Sequence, residues 1–437
     1  MDDLEIKIAI TYKVPKRGLT LNGLLRGLEG DRDSIMRAVL GTILSALEED
    51  SLKALPEGWI RNGHQSRPRT FKTSFGVVRH RMAQVRDRKG AIRHPLERRL
   101  RIVPYRQYQG QELEAAVGQA IHLSYRVAAR ETLRLKGAGP SKSTLWRRLQ
   151  DLAETSAAWP PLKDRPFRFL MVDGTKVRLQ EGGFSLGKAE MRWAMAAEEV
   201  SKPFELIGFW VNKDWAAIRR DLDLRLTYRR LRVLFSDGGP GIEEAFLAPG
   251  MELQRCILHG QRDFSFLLYA DGIKGQAQMP FRNLLDRNPL FRLRQAELET
   301  LEPDDEPLVR KLAKVIRRGF NELLTALPAE KYPKTRTYVR NFAAQALVFF
   351  DYWLDHRRWL PLTTNAIESA FSRAVNRIKR IGRRWSEDGL LNWLMLAFRK
   401  IFQPKLWESL WAQYLGCHHR LRLFFLSVQH EWIYAIT

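Results

Sequence analysis

Cysteine is nearly absent from this chain of 437 residues: Cys256 and Cys417 are the only two. So few thiols cannot build a disulfide framework, and a reducing compartment, the cytoplasm, is expected. Long apolar runs are missing too. The best candidates, residues 342–353 and 390–398, are broken by Gln345, Asp351 and Asn392, so they read as buried helices and no membrane partner is expected. The opening MDDLEIKIAITYKVPKRG lacks the basic start and apolar core of a signal peptide. Repeats and low-complexity tracts do not stand out. Acidic residues are in deficit, 49 against 73 Lys and Arg, for a net charge of +24. That surplus calls for a polyanionic partner, with nucleic acid first, because neutralising phosphates releases their counterions. With 45% hydrophobic residues, the chain has material for two or three packed domains.

Apolar residues recur at helical spacing over residues 20 to 55, which predicts one or two packing helices. Between Arg61 and Gly110, 14 Lys and Arg stand against Asp87 and Glu97, about half of the net positive charge. Within that stretch, residues 70 to 86 alternate around Phe75-Gly76 as a hairpin with a basic face would. A helix from about 111 to 135 should follow, then the break KGAGP, then SKSTLWRRLQDLAE with Ser141 as N-cap. Helix, Gly turn and a short basic helix read as a helix-turn-helix, with Lys142, Ser143, Thr144 and Arg147 on its recognition helix. A phosphate-binding P-loop is excluded, because Ser141 stands where Gly must precede the Lys.

From about Phe167 the pattern turns α/β. Three strands are expected over 167–179, 191–200 and 204–211, then a helix over 213–229, a strand over 231–235, a helix over 240–247 and a strand over 252–258. That order is the one expected of a ribonuclease-H-like domain. Residues 260 to 355 read as helical, with LEPDDEP at 301–307 as a loop. The fold class expected is an α/β ribonuclease-H-like catalytic domain with an all-α insertion, preceded by a mainly helical DNA-binding region with a short β-hairpin. The boundaries are 1–60 (helical), 61–160 (hairpin and helix-turn-helix), 165–259 with 360–400 (catalytic), 260–359 (insertion) and 401–437 (helical tail).

Three carboxylates carry the chemistry. Asp173 lies in FRFLMVDGTKVRL, Asp237 in LRVLFSDGGPGIEEAF and Glu368 in LTTNAIESAFSRAVNRIKRIGRRW. A carboxylate at a strand end beside glycine lets a metal and a phosphate approach the backbone, although Asp-Gly is also a turn signal. If residues 364 to 381 are one helix, Ile367, Ala370, Phe371, Ala374, Ile378 and Ile381 form its buried stripe. Glu368 then lies on a polar stripe with Asn365, Ser372, Asn376 and Lys379, and Arg373, Arg377, Arg380 and Arg384 form a third face for phosphates. The alternative is a surface Glu368 paired with Lys379 or a nearby Arg.

The phrases FELIGFWVNKDWAAIRRDL, SDGGPGIEEAF, LQRCILHGQRDF and LTTNAIESAFSRAVNRIKRIGRRWSEDGLLNWLMLAF together resemble the Mutator-like insertion-sequence transposases. In that family an Asp-Gly phrase, a Ser-Asp-Gly phrase, a Cys-x-x-His pair and Asn-x-x-Glu-Ser occur in order, as Asp173, Asp237, Cys256 with His259, and Glu368 do here. The likeness runs from about Arg69 to Phe398; Gly174-Thr175-Lys176 departs from the commonest form. It implies a DDE transposase that binds terminal inverted repeats and catalyses DNA cleavage and strand transfer. Asp173, Asp237 and Glu368 would hold two Mg²⁺, with Mn²⁺ as the alternative, and His259 would lie near the scissile phosphate or a flanking base. The implied partners are the duplex DNA of element ends and target, and further copies of the chain on DNA. Two rivals remain: a catalytically silent, transposase-derived DNA-binding protein, and a structure-selective ribonuclease-H-like nuclease. Cys256 and His259 alone cannot close a tetrahedral zinc site.

Overall fold

The computed structural model describes residues 4, 6–10, 20–102, 110–155, 159, 161–181, 184–375, 377–378 and 385–415. The chain divides into two compact units, residues 1–156 with 396–437, and residues 157–395.

In the first unit, α1 (Leu21–Lys53) starts at Thr20, whose hydroxyl accepts from the Gly23 N–H at 3.1 Å. The expected hairpin is present as β2 (Arg69–Thr73) and β3 (Gly76–His80), turning at Ser74-Phe75. A second small sheet orders β1 (Ile60–His64), β4 (Ala83–Arg86) and β5 (Ile92–Arg93). Phe71, Val78 and Met82 from this region bury Leu44 of α1 and Leu96 of the short α2 (Pro95–Arg99). Glu48 of α1 is also buried, and its carboxylate accepts the Ala83 N–H at 2.7 Å. The helix expected over 111–135 is two helices, α3 (Gly110–Ala120) and α4 (Tyr125–Lys136), because Ser124 caps a new start by accepting from the Val127 N–H. Gly137, at φ +65°, ends α4 in the left-handed conformation. Ser141 then caps α5 (Lys142–Thr155) through the Thr144 N–H at 3.2 Å.

The second unit is built on one five-stranded sheet. Its strands are β6 (Phe169–Glu181), β7 (Phe184–Ala197), β8 (Glu205–Val211), β9 (Val233–Ser236) and β10 (Glu252–Arg255), in the spatial order β10-β9-β6-β7-β8. The first three form an antiparallel meander, while β9 runs parallel to β6 and β10 parallel to β9. Leu170, Val172, Ala194 and Leu234 pack one face of the sheet against α6 (Trp215–Arg225) and α7 (Ile242–Phe246). Alternation along a strand turns Met171, Asp173, Trp193 and Phe235 to the other face.

The strand expected over 252–258 stops at Arg255, and α8 (Ile257–Ala270) begins at once. Helices α9 (Met279–Arg287), α10 (Gln295–Leu298), α11 (Glu306–Ala326), α12 (Pro333–Gln345) and α13 (Val348–His356) follow. The expected 301–307 loop is shorter than read: residues 303–305 form a 3-10 turn and Glu306-Pro307 already open α11, where proline needs no hydrogen bond. Then come α14 (Asn365–Val375), α15 (Glu387–Phe402) and, in the first unit, α16 (Pro404–Leu415). Among the described residues no helix is long and apolar enough to cross a membrane.

Candidate active site

Asp173 does not end its strand. It lies inside β6, paired with Trp193 of β7, at the level where the neighbouring β9 stops. Met171 is opposite Phe235 in the parallel β6/β9 pair. Asp173 and Asp237 each lie two residues further along, so they occupy one row and one face of the sheet. The same row continues to Cys256, one residue beyond the Ser236–Arg255 pair, whose N–H donates to the Ser236 carbonyl at 2.9 Å.

Asp173 is 7% exposed, and the N–H of Gly174 donates to its Oδ1 at 2.6 Å. Burial, and then the charge of Asp237, push its pKa up to about 7; Glu368 adds to the rise, while the Gly174 N–H and His259 oppose it. Asp237 accepts the Gly239 N–H at 2.8 Å, which folds the Asp-Gly-Gly phrase back on itself. Gly238, at φ +80°, is required there twice over: a Cβ would strain the backbone and would sit 1.9 Å from the Arg255 guanidinium. Arg255 is buried, donates to the Asp237 carbonyl at 3.0 Å and lies over the Tyr338 ring. By contrast, a Cβ on Gly174 would make only ordinary contacts, the nearest at 3.4 Å.

Glu368 sits in the first turn of α14 with its side chain 45% exposed. Its Oε1 lies 3.8 Å from His259 Nδ1 and within 3.4 Å of the Thr364 hydroxyl. Lys379 lies outside the described residues, and no Lys or Arg pairs with Glu368 among those described. His259 is in the first turn of α8, not at a strand end, and is buried. The Cys256 sulfur, as acceptor from the ring N–H, raises its pKa against the effect of burial, so the ring carries positive charge more readily than a free imidazole. Burial alone would raise the Cys256 thiol, but the His259 and Thr364 hydrogen bonds outweigh it and lower the pKa. Potential ligand atoms of Cys256, His259 and Glu368 all fall within 4.8 Å of one another. These three side chains would offer a metal three ligand atoms, one short of a closed tetrahedral set, and only with the His259 ring neutral.

Of the expected buried stripe on α14, Ile367, Ala370, Phe371 and Ile378 are buried; the Ala374 side chain and Ile381 lie outside the described residues. Asn365, Ser372 and Arg373 are exposed. Arg377 corrects the Arg face: it is 3% exposed, with its guanidinium 4.6 Å over the Trp385 ring. The α-helical pattern ends at Val375 and residues 377–378 are π-helical, so the uniform 100° step that put Arg377 outside does not hold there. Asn376, Arg380 and Arg384 lie outside the described residues.

In the first unit Lys142, Ser143 and Arg147 of α5 are exposed, and Thr144 is half-buried with its hydroxyl 3.0 Å from Ser141 Oγ. Trp146, passed over in the sequence, is 46% exposed on the same helix. The sequence also hid Thr364, which donates its N–H to Cys256 Sγ at 3.5 Å and its hydroxyl to Glu368. Only the chain path brings residues 108 positions apart together.

Residues 29–324 match the family model described as Transposase, Mutator family. No curated protein matches the chain.

Proposed function

The chain belongs to the Mutator family of transposases, and we propose that it binds the terminal inverted repeats of an insertion sequence and uses Asp173, Asp237 and Glu368 for metal-dependent DNA cleavage and strand transfer. The observation that carries this reading is the row of Asp173 on β6 and Asp237 just past the end of the adjacent parallel β9, with Glu368 near enough to raise the Asp173 pKa. The sheet order, an antiparallel meander extended by two parallel strands, supports a ribonuclease-H-like catalytic domain.

The carboxylates fit a cation site. Asp173 is buried without a Lys or Arg partner among the described residues, and its neighbours add negative charge. Such a cluster is relieved by divalent cations, and oxygen ligands suit Mg²⁺ or Mn²⁺. Bound there, a pair of such ions would activate the attacking water or 3′-hydroxyl and neutralise the leaving oxygen. The chain's own work is positional. The sheet fixes Asp173, the Gly239 N–H and Arg255 hold the Asp237 loop, and Thr364 orients Glu368. His259, buried beside Glu368, offers a proton or positive charge at Nδ1 to a phosphate oxygen. Lys142, Ser143, Thr144 and Arg147 on α5, and Arg373 on α14, provide contacts to duplex DNA.

The test is cleavage of a duplex carrying the DNA that flanks the coding sequence, in Mg²⁺, with a parallel gel-shift. Asp173→Ala, Asp237→Ala and Glu368→Gln should each abolish cutting while retaining binding. Near-normal cutting by any of them removes that residue from the site. A wild-type protein that binds the ends yet never cuts is the catalytically silent relative.

A further inference from the structure

We infer that the outward stripe of α8 is a stacking surface for unpaired DNA bases at the reacting end, an inference that rests on the transposase reading above. Helix α8 carries apolar side chains on both its buried and its exposed side. Ile257, Gly260, Phe264 and Leu268 are buried. On the opposite side Leu258, Phe266 and Tyr269 are 49%, 68% and 59% exposed, with Arg262 among them. At about 100° per residue these four fall within a sector of roughly 80°.

The rotation of α8 is fixed. A Cβ at Gly260 would lie 2.0 Å from the Phe342 ring of α12, so the two helices meet there with no room for a side chain. The outward residues cannot turn inward without losing that contact. Three large apolar side chains are therefore held in water by the packing of the helix that carries them.

Position and charge favour one occupant. Leu258 adjoins His259, which faces Glu368, and from Leu258 to Tyr269 the helix rises about 16 Å. That length matches roughly four or five stacked nucleotides at about 3.4 Å each. Lys274 lies 5.1 Å over the Tyr269 ring, and the Arg262 side chain is 58% exposed while its Nε donates to Asp263 at 3.0 Å, leaving the rest of its guanidinium to face outward. Aromatic faces interleaved with cations are what a single strand binds, and its bases offer free faces only where the duplex is open. Pairing two copies through this stripe would bring the cations of one against those of the other on a chain of net charge +24.

The experiment measures fluorescence anisotropy of the full-length protein, in EDTA, with a labelled single strand and with the fully paired duplex of the flanking DNA. Phe266→Ala and Tyr269→Ala should each weaken single-strand binding by at least about fivefold and change duplex binding by less than twofold. Phe266→Leu, which keeps apolar area but has no ring face, should behave as Phe266→Ala does. Thermal melts of all variants should match wild type, because the positions are exposed. A wild-type protein that binds duplex but not single strand, or alanine variants that bind single strand normally, would overturn the inference and leave the transposase reading standing. Variants that fall from an oligomer to a monomer on sedimentation would make the stripe a protein interface and overturn it too. Failure of the folded wild type to bind either DNA would sink both.

Discussion

Trp193 and Phe371 stack with ring centroids 3.7 Å apart and planes 27° from parallel. Trp193 is the cross-strand partner of Asp173, and Phe371 lies one helical turn after Glu368. The stack therefore ties the helix bearing one carboxylate to the strand bearing another. Phe371→Ala should empty a buried aromatic site and destabilise the protein by about 3 to 5 kcal/mol. Below the lowered melting temperature the same variant should bind DNA and cut it poorly, because Glu368 loses its brace. Phe371→Leu should recover much of both. Melts and cleavage rates at one temperature decide the matter; a Phe371→Ala protein as stable as wild type would show that the stack braces nothing.

Asp173 gives stability a pH dependence with a definite sign. Its folded pKa is raised to about 7 from an ordinary 3.8, so between those values the unfolded chain has lost a proton that the folded chain keeps. In metal-free buffer stability should fall as pH rises from about 4 to about 7, by on the order of 4 kcal/mol at most. Asp173→Asn should remove this component. Added Mg²⁺ should offset it, since a cation favours the ionised carboxyl. The check is denaturant unfolding across that pH range, for both proteins, with and without the ion.

Arg377 and Arg373 should part company. Arg377 is buried over Trp385, so Arg377→Ala should lower the melting temperature through lost packing and cation–π contact. Arg373 is exposed, and Arg373→Ala should lower the melt far less than Arg377→Ala does while reducing the salt slope of DNA binding by about one unit. The reverse assignment in melts and salt titrations would show that α14 is turned the other way.

On α5, Lys142→Ala and Arg147→Ala should weaken binding to the element's ends more than to random duplex if the two side chains reach bases. Equal losses on both duplexes would confine them to phosphates and move end recognition elsewhere.

Local chemistry was legible in the sequence because it depends on near neighbours. Ser141 as an N-cap, the hairpin whose turn lies at Ser74-Phe75, one residue before the Phe75-Gly76 centre expected, the alternating strands and the apolar stripe through Ile367, Ala370 and Phe371 all follow from side-chain spacing. Asp173, Asp237 and Glu368 stand out in the sequence by the phrases that hold them. Where spacing is not uniform, the reading failed. Ser124 restarted a helix that periodicity had joined, α8 began where a strand was expected to continue, and a π-helical turn carried Arg377 inside. Each is a place where a cap, a chain reversal or the Trp385 ring outweighed local propensity. The sequence by itself determined which groups are acidic, basic or apolar and which lie on one turn of helix. Only the tertiary structure decided that Asp173 and Asp237 share a row, that Thr364 bridges Cys256 and Glu368, and that Gly238 makes room for Arg255. Those depend on contacts between distant segments, and strand register and close packing set them.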